Sequence, residues 1–384
     1  MDKIEEVLTR GVEKIYPSKE ALEEVLRSGK KIKLYQGFDP SMPSLHLGNF
    51  VGLMKLRQFQ KLGHEVIFLI GDFTGMIGDP TDKLSTRKKL TREQVLENAK
   101  SWKKQAGKVL DFDEPNPAKM LFNSEWLDKL NFKDLIEITS NFTVQQMIER
   151  DMFQERLKKN EPIHLHEFLY PVAVAQDSVE MDVDLEIGGS DQLFNMMAGR
   201  TLMKAVKGKE KYVLTTKLLV DKEGTKVGKT TGNALFLDSE PNEFFASVMS
   251  FPDKVVGLGF ELLTELSLDG LAQKIEKDPM RQKKNLAFEI VKLLWGEKSA
   301  KQSQENFEKT FQEKSPTDFI EVKSGKKIVE TLAPYTALSS ISDAKRWITQ
   351  GAVDVNGKTL TDPDYQLKKG DLVKAGKKVF LKVK

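Results

Sequence analysis

The chain has 384 residues, of which 39% are hydrophobic and 30% are charged, a composition typical of a globular protein with two or three domains. It contains no cysteine, which excludes disulfide bonds and thiolate metal sites. No apolar run approaches the roughly 18 residues of a membrane helix, and the charged N-terminal residues lack a signal-peptide core. We therefore expect a cytoplasmic protein that does not associate with membranes.

The net charge of +3 is unevenly distributed along the chain. Residues 326–384 hold 12 Lys and Arg against 6 Asp and Glu, whereas the remainder holds 48 against 51. A basic C-terminal segment can be a solvated surface or a module that binds a polyanion. Charge alone leaves both interpretations open.

The first 220 residues alternate between strand and helix patterns, which predicts a right-handed, mostly parallel α/β sheet. A helix is predicted from His46 to Leu62, and a second helix starts at Thr91, which forms a capping-box pattern with Gln94. Four strands are predicted, at Lys33–Phe38, Glu65–Gly71, Lys119–Phe122 and Val183–Ile187.

The pattern changes twice after residue 232. Apolar residues at helical spacing predict helices over Leu262–Leu271 and Asn285–Trp295. Near the C-terminus, a helix is predicted over Ser342–Gln350 with Ser342 or Asp343 as its cap, followed by a hairpin at Asn356-Gly357. Two more strands are predicted at Leu372–Lys374 and Val379–Val383. The predicted domains are 1–232, a helical domain over 233–315, a linker over 316–330, and a last domain over 331–384.

A loop between the first strand and the first long helix has the composition of a phosphate site. In the segment from Tyr35 to Asn49, Gly37 allows close approach of a ligand, and Pro40 and Pro43 restrict the loop. His46 and Asn49 are one helical turn apart at a helix N-terminus, so we expect both to donate into one space. Free N–H groups at such a terminus suit a polyphosphate.

A second cationic loop follows about 180 residues later, with the sequence Lys226-Val-Gly-Lys229-Thr230-Thr-Gly232-Asn233. Its Gly-Lys-Thr raises the possibility of a P-loop, but the Walker pattern needs a glycine where Glu223 stands. No Gly-x-Gly-x-x-Gly follows a predicted strand, so a dinucleotide site is unsupported.

Together the two loops resemble the signature sequences of class I aminoacyl-tRNA synthetases, usually written HIGH and KMSKS. The surrounding residues resemble the tyrosyl-tRNA synthetases of the bacterial type over nearly the whole chain. This resemblance implies an α/β fold with a Rossmann-like parallel-sheet catalytic domain, a helical anticodon-side domain and a small α+β C-terminal domain of the S4 type. It also implies an ATP-dependent ligase that activates L-tyrosine to tyrosyl-adenylate and transfers it to tRNA(Tyr).

The resemblance assigns roles to residues of both loops and of the segments between them. Attack on the α-phosphate of ATP develops negative charge, which positioned donors and cations stabilise. The residues implied for catalysis are His46, Asn49, Lys83, Arg87, Lys226, Lys229 and Thr230. Those implied for tyrosine binding are Tyr35, Asp79, Tyr170, Asp177 and Gln192. Those implied for ATP binding are Gly37, Asp39, Gly48, Gly189 and Asp191.

Two positions depart from the family pattern. The fourth residue of the first signature is most often His, and here it is Asn49, which still donates a hydrogen bond but carries no charge. The family usually has Gln where this chain has Val174, which lies on one helical face with Tyr170 and Asp177. We expect the substrate ammonium to depend on Asp79 and Tyr170, with weaker tyrosine affinity.

Residues from Ile341 to Asp371 resemble an S4-type RNA-binding domain. Its basic side chains would neutralise RNA phosphates, and the candidates are Lys345, Arg346, Lys358, Lys368 and Lys369. The resemblance further implies a homodimer and Mg²⁺ held by ATP phosphates and water. With four histidines and no cysteine, no protein metal site is expected.

Two other functions stay open at this point. A paralogue could activate tyrosine or an analogue for an acceptor other than tRNA, which Val174 favours and the basic module disfavours. A non-enzymatic RNA-binding protein on the same scaffold would be expected to lose the signature lysines or Asp79, and the sequence retains them.

Overall fold

The structure is a computed structural model that describes residues 2–81, 90–113, 115–220, 235–312, 319–336, 340–376 and 379–384. The chain divides into two compact units, Met1–Lys301 and Gln302–Lys384. Among the described residues, no helix is both long enough and apolar enough to cross a membrane.

The first unit contains one six-stranded sheet surrounded by helices. Its strands are β1 (Val12–Tyr16), β2 (Lys33–Phe38), β3 (Glu65–Ile70), β4 (Lys119–Phe122), β5 (Leu185–Gly189) and β6 (Tyr212–Thr216). The helices up to the end of the sheet are α1 (Lys3–Thr9), α2 (Lys19–Arg27), α3 (Leu47–Lys61), α4 (Thr74–Ile77), α5 (Arg92–Ala99), α6 (Trp102–Ala106), α7 (Ser124–Leu127), α8 (Phe132–Thr139), α9 (Val144–Ile148), α10 (Asp151–Lys158), α11 (Leu165–Met181) and α12 (Leu193–Lys207). The helices after the sheet are α13 (Pro241–Met249), α14 (Val256–Leu263), α15 (Leu271–Lys277), α16 (Pro279–Trp295) and α17 (Glu297–Phe307), in which the first unit ends.

The strand order in this sheet is β1-β6-β5-β2-β3-β4. Only β1 is antiparallel to its neighbour, and the other strands are parallel. From β2 the chain proceeds outwards through β3 to β4 on one side, and then returns to β5 and β6 on the other side of β2. The boundary between β2 and β5 is therefore a topological switch point, where open parallel sheets bind ligands beyond the carboxyl ends of the strands.

The α/β class and several predicted elements are confirmed. Strands β2 and β4 have the predicted bounds, and β3 ends one residue earlier than predicted. Helix α3 is capped by His46, and α5 begins after Thr91, whose side chain accepts from Gln94 N while the Gln94 side chain accepts from Thr91 N. Continuous apolar character explains β3, because every residue after Glu65 in this strand is buried.

Two predictions for the first unit are wrong, and two of its strands have no counterpart among the predicted elements. Strand β5 is displaced by two residues because Gly188 and Gly189 extend it by pairing with Thr215 and Thr216. No pattern in the sequence predicts β6 or the edge strand β1. The predicted helix over Leu262–Leu271 is absent: α14 ends at Leu263, and the next carbonyls accept hydrogen bonds from the Arg10 side chain instead of from a further helical turn.

The second unit is a small α+β fold. Its helices are α18 (Ile328–Leu332) and α19 (Ile341–Thr349), and its strands are β7 (Ile320–Val322), β8 (Val353–Val355), β9 (Lys358–Thr359), β10 (Leu372–Ala375) and β11 (Val379–Val383). The sheet order is β7-β11-β10-β8-β9, and only the β7–β11 pairing is parallel. Ile328, Leu332, Ala344, Ile348 and Leu381 belong to its buried core.

The hairpin at Asn356-Gly357 and the two C-terminal strands are confirmed. The predicted cap of α19 is wrong, because Ser340 is the N-cap and its hydroxyl accepts from Asp343 N at 3.1 Å. The segment 316–330, expected as a linker, supplies β7 and the start of α18. Strand β7 has only three residues, too few to show an alternating hydrophobic pattern, and its pairing partner β11 lies about sixty residues further along the chain.

Two buried basic side chains join elements of the first unit that are distant in sequence. Lys55 of α3 is only 3% exposed, and its Nζ donates to Val7 O at 2.9 Å, Arg10 O at 2.6 Å and Gln58 Oε1 at 2.6 Å. Arg10 in turn donates to four carbonyls at and beyond the end of α14, among them Phe260 O at 2.8 Å. These contacts satisfy carbonyls at two helix ends, where no intrahelical donor is available.

Replacing Lys55 with Met is expected to change how stability depends on pH. Burial, followed by the charge of Arg10, lowers the pKa of Lys55 from 10.5 to about 7. Between these two values the unfolded chain binds a proton that the folded chain does not, so the free energy of unfolding rises with pH. Relative to Lys55→Met, the free energy of unfolding of the unchanged protein should increase by up to about 1.4 kcal/mol for each pH unit between about 7 and 10.5.

Urea unfolding at several pH values between 6 and 9.5 measures this difference. Lys61→Met serves as the control, because Lys61 lies on the same helix with 52% of its side chain exposed. Parallel curves of the free energy of unfolding for Lys55→Met and the unchanged protein would contradict the shifted pKa.

Candidate functional site

A cavity of about 260 Å³ lies at the switch point between β2 and β5. The ends of β2, β3, β4, β5 and β6 all reach it, and α3 and α11 complete its walls. It brings together the predicted residues Tyr35, Gly37, Asp39, His46, Gly48, Asn49, Asp79, Tyr170, Asp177, Gly189, Asp191 and Gln192. Val174, at the position that departs from the pattern, also lines it.

A buried carboxylate lines one wall of the cavity. Asp177 on α11 is 2% exposed, and its two oxygens accept from Trp126 Nε1 at 2.8 Å and from Asn123 Nδ2 at 3.2 Å. Burial raises the pKa of Asp177 well above its ordinary value, and the two donors act in the opposite direction. The two donors favour the ionised form, in which Asp177 has further lone pairs that can accept a hydrogen bond from a ligand donor in the cavity.

Tyr35 on β2 supplies a hydroxyl near this carboxylate. Its ring is 1% exposed, and its hydroxyl lies 2.9 Å from Ser178 Oγ. Burial, together with the charges of Glu186 and Asp177, raises the pKa of Tyr35 well above 10. The side chain is therefore a neutral phenol, able to donate one hydrogen bond and accept others.

A second carboxylate, Asp79, is held by a chain of side-chain hydrogen bonds. Gln192 Nε2 donates to Asp79 Oδ2 at 2.8 Å, and the Gln192 oxygen accepts from Asn195 Nδ2 at 2.8 Å. Thr81 donates to Asp79 Oδ1 through its amide at 2.9 Å and its hydroxyl at 2.6 Å. The orientation of Asp79 is therefore fixed before a ligand binds.

Tyr170 on α11 donates its only hydroxyl proton to Asp39 Oδ2 at 2.9 Å. Asp39 is further held by Thr74, whose hydroxyl donates to Oδ1 at 2.7 Å. Burial, with the charges of Asp39 and Asp79, raises the pKa of Tyr170 well above 10. With its proton committed to Asp39, the Tyr170 oxygen presents lone pairs, which suit a cationic donor such as an ammonium group.

His46 and Asn49 form a reciprocal cap at the start of α3. Asn49 N donates to His46 Nδ1 at 3.2 Å, and His46 N donates to Asn49 Oδ1 at 2.9 Å. Because Nδ1 accepts, the imidazole proton is on Nε2, which makes Nε2 the donor. A Cβ at Gly48 would lie 2.9 Å from His46 Cε1, so glycine leaves room for the imidazole. Both residues line the cavity.

Five of the residues implied for catalysis lie outside the described residues: Lys83, Arg87, Lys226, Lys229 and Thr230. The described residues on both sides of segment 221–234 reach the site. Leu218 and Leu219 line the cavity, while Leu47 N donates to Leu235 O at 2.9 Å beside the cap of α3.

The five basic residues implied for RNA binding are exposed in the second unit. Arg346 forms an ion pair with the buried Asp343 on its own helix. Lys345 and Arg346 lie on α19, Lys358 lies on β9, and Lys368 and Lys369 precede β10. Among the described residues of both units, no group of three or more His, Cys, Asp or Glu could hold a metal ion.

The residues that hydrogen-bond to the site residues and hold them in place were not identified from the sequence. Asn123 and Trp126 hold Asp177, Asn195 holds Gln192, and Lys211 lies next to Ser178. Asn123 follows β4 directly, and the carboxyl end of a parallel strand is a signal that could have identified it. Lys211 precedes β6, which the sequence did not reveal as a strand.

Two families match parts of the chain. The family described as class I tRNA synthetases (W and Y) matches residues 27–312. The S4 domain matches residues 335–373.

Curated relatives match almost the entire length. The chain is 42% identical to a tyrosine–tRNA ligase of Aquifex aeolicus, with 98% of this chain and 97% of the relative covered. It is 39% identical to a tyrosine–tRNA ligase of Thermotoga maritima (98% and 96% covered) and 41% identical to one of Haemophilus ducreyi (98% and 96% covered).

Solved structures share the fold. A C-terminally truncated mitochondrial tyrosyl-tRNA synthetase of Coccidioides posadasii aligns with a TM-score of 0.65 at 25% identity, over 79% of this chain and 91% of that chain. A tyrosyl-tRNA synthetase of Archaeoglobus fulgidus, solved with L-tyrosine, aligns with a TM-score of 0.61 at 20% identity, over 79% of this chain and 100% of that chain.

Proposed function

The chain belongs to the tyrosine–tRNA ligases of the class I tRNA synthetases, and we propose that the cavity between β2 and β5 is the site of its reaction. The enzyme is an ATP-dependent ligase. The tyrosine carboxylate attacks the α-phosphorus of ATP, and pyrophosphate leaves to give tyrosyl-adenylate. The terminal ribose hydroxyl of tRNA(Tyr) then attacks the tyrosyl carbonyl, and AMP leaves. The observation that carries the site assignment is a cavity with a buried carboxylate on one wall and a helix N-terminus on another.

For tyrosine, we assign the phenol to Tyr35 and Asp177. The phenolic hydroxyl donates a hydrogen bond to ionised Asp177, and phenylalanine would leave this buried carboxylate without its ligand donor, which is costly. The ammonium group is assigned to Asp79 and to the lone pairs of Tyr170. Gln192, which donates to Asp79, is assigned to the carboxyl end of the substrate.

For ATP, we assign the open side of the cavity beyond the ends of β2 and β5. His46 Nε2 and the Asn49 amide donate to phosphate oxygens at the N-terminus of α3, where the helix dipole also favours anions. The remaining assignments on this side are Gly37, Asp39, Gly48, Gly189 and Asp191, all of which line the cavity.

The signature lysines, which lie outside the described residues, are proposed to bind the pyrophosphate end of ATP. We assign Lys226, Lys229 and Thr230 to the pyrophosphate leaving group, together with Lys83 and Arg87. The support is that Leu219 lines the cavity and Leu235 pairs beside the α3 cap, at the two ends of the segment that holds the lysines. Mg²⁺ would enter with ATP, bound mainly by phosphate oxygens and water.

For tRNA, we propose that the second unit binds the phosphate backbone through Lys345, Arg346, Lys358, Lys368 and Lys369. Their exposure and the S4 match support this assignment. We propose that the helical region, residues 233–315, is the anticodon-side domain. Because its partner is tRNA(Tyr), we place the enzyme in the cytoplasm.

We further propose that the enzyme is a homodimer. Several large apolar side chains between residues 132 and 165 are exposed: Phe132 by 77%, Ile136 by 56%, Val144 by 69% and Leu165 by 82%. Large apolar side chains exposed within one stretch of the chain favour an interaction surface, and a second copy of the chain would bury them in the isologous contact typical of homodimers.

The reaction is tested by tyrosine-dependent exchange of labelled pyrophosphate into ATP and by charging of tRNA(Tyr). We expect both activities. His46→Asn should lower the exchange rate by about 10²-fold, since one donor to the reacting phosphates is lost, while the free energy of unfolding stays the same because Asn also caps helices.

Absence of exchange would contradict adenylation and favour an RNA-binding protein without enzymatic activity. Exchange without charging of tRNA(Tyr) would favour a paralogue with another acceptor. Phenylalanine in place of tyrosine is the control for the amino-acid site.

Restoring an amide at position 174 is expected to strengthen tyrosine binding. Val174 lines the cavity on the same helix as Tyr170 and Asp177, and an added acceptor for the ammonium group is worth roughly tenfold in affinity. Val174→Gln should therefore lower the KM for tyrosine by about that factor and leave the KM for ATP unchanged.

Val174→Leu is the matched control, because it adds volume without a polar group. An unchanged KM for tyrosine in Val174→Gln, or an equal decrease in Val174→Leu, would refute the role given to this position.

The dimer is tested with Leu165→Asp, which places a charge at the most exposed of the four side chains. We expect sedimentation velocity to give a dimer for the unchanged protein and a monomer for the variant, because an unpaired charge is costly to desolvate in an interface. Val206→Asp is the control at another exposed apolar residue (56% exposed) and should remain dimeric. A monomeric unchanged protein would overturn the proposal.

A further inference from the structure

A fully buried lysine lies directly behind the phenol side of the cavity. Lys211 is 0% exposed, and none of the roles assigned above uses it. Its Nζ donates to Ser178 Oγ at 2.9 Å and to Met196 O at 3.1 Å, and it forms an ion pair with Glu186. An ammonium group has three protons and no acceptor, so these three contacts satisfy it completely.

The helix behind this lysine leaves space for it. A Cβ at Gly199 on α12 would lie 2.4 Å from Lys211 Nζ and 2.7 Å from Ser178 Oγ. Any side chain at this position would displace the ammonium group from the serine. The contact between Lys211 and Ser178 therefore depends on a glycine in the middle of a helix, where glycine costs about 1 kcal/mol relative to alanine.

The lysine fixes the direction of the hydrogen bonds that follow. Because Lys211 can only donate, Ser178 Oγ accepts from it. Among the described residues, Ser178 Oγ has one other hydrogen-bond partner, the Tyr35 hydroxyl at 2.9 Å, so the serine proton points to Tyr35. Tyr35 then accepts a hydrogen bond from Ser178 and directs its own proton away from the serine. Tyr35 lines the cavity, and the carboxylate of Glu186 is a second acceptor beside it.

The same lysine occupies a competing acceptor. Glu186 also lines the cavity and is 4% exposed, and both its charge and its hydrogen bond with the Tyr35 hydroxyl raise the pKa of Tyr35. Without Lys211 this carboxylate would be unpaired, and its hydrogen bond with Tyr35 would be stronger. The ion pair with Lys211 therefore weakens the competition of Glu186 for the Tyr35 proton, which favours donation to a ligand.

We propose that Lys211 is a positioning residue for the selection of tyrosine, acting through Ser178 to direct the Tyr35 proton towards the substrate phenol. The hydrogen bonds then run in one direction, from Lys211 through Ser178 and Tyr35 to the substrate oxygen, and from the substrate hydroxyl to Asp177. Such a chain strengthens each member and requires a ligand atom that both accepts and donates, as a hydroxyl does. The inference rests on the proposed assignment of the phenol to Tyr35 and Asp177.

The test compares the specificity constants for tyrosine and phenylalanine in pyrophosphate exchange. The principal variant is Lys211→Met with Glu186→Gln, since the second change removes the carboxylate that the first would leave buried and unpaired. We expect the tyrosine-to-phenylalanine ratio to fall roughly tenfold, the value of one weakened hydrogen bond. The change should lie in the KM for tyrosine, with kcat and the KM for ATP within about twofold.

Two further variants separate positioning from folding. Lys211→Gln keeps a donor for Ser178 and should recover part of the tyrosine-to-phenylalanine ratio that is lost with Lys211→Met. Gly199→Ala keeps the lysine and displaces it, so it should lower the ratio in the same way. Lys283→Met is the control, because Lys283 is another buried lysine with a carboxylate partner, Asp253, outside the cavity, and should leave the ratio unchanged.

A variant that folds, as shown by an unchanged melting temperature and circular dichroism spectrum, and that keeps the full tyrosine-to-phenylalanine ratio would overturn the inference. A parallel rise in the KM for ATP would also overturn it, since this indicates a general structural effect. If the unchanged protein shows no tyrosine-dependent exchange, the proposed function itself fails, and the two failures are thereby distinguished.

Discussion

The carboxylate of Asp177 is the constraint on which the rest of the site depends. A carboxylate that is 2% exposed is costly to desolvate, and it stays useful as an acceptor only if donors surround it. Trp126 and Asn123 supply two donors from the segment that follows β4. This environment of Asp177 therefore requires α11, which carries Asp177, to lie against the carboxyl end of β4. The packing of α11 on the sheet thus determines whether the carboxylate can act as an acceptor.

The sheet topology makes this requirement easy to meet. In an open parallel sheet, every strand delivers its following loop to the same edge, and the chain reversal at β2 and β5 leaves a crevice there. Residues as far apart as Asp39 and Gln192 consequently face one cavity. Lys55 and Arg10 stabilise this scaffold from behind by binding helix-end carbonyls, so α3 is anchored at its middle while His46 caps its start.

The sequence predicts the local parts of this arrangement well. Buried parallel strands such as β3 have continuous apolar runs, and the His46 cap follows from residues only three positions apart. It fails where a partner distant in the chain decides the outcome. The end of α14 depends on Arg10, about 250 residues earlier, and β7 exists because β11 pairs with it. Within the site, signature residues were identified by resemblance, whereas Asn123 and Lys211 act on other side chains and have no motif of their own.

Tyr35 and Tyr170 show why a list of site residues does not define selectivity. Both are buried phenols on the same cavity, and both have a pKa raised by burial. Tyr170 donates its proton to Asp39, so its oxygen can only accept from a ligand and suits an ammonium group. In the proposal above, Tyr35 accepts a hydrogen bond from Ser178, which accepts one from Lys211, so the Tyr35 proton is directed to a ligand such as a phenol oxygen. The same residue type can thus serve opposite ends of one substrate, because the two hydroxyl groups have different hydrogen-bond partners.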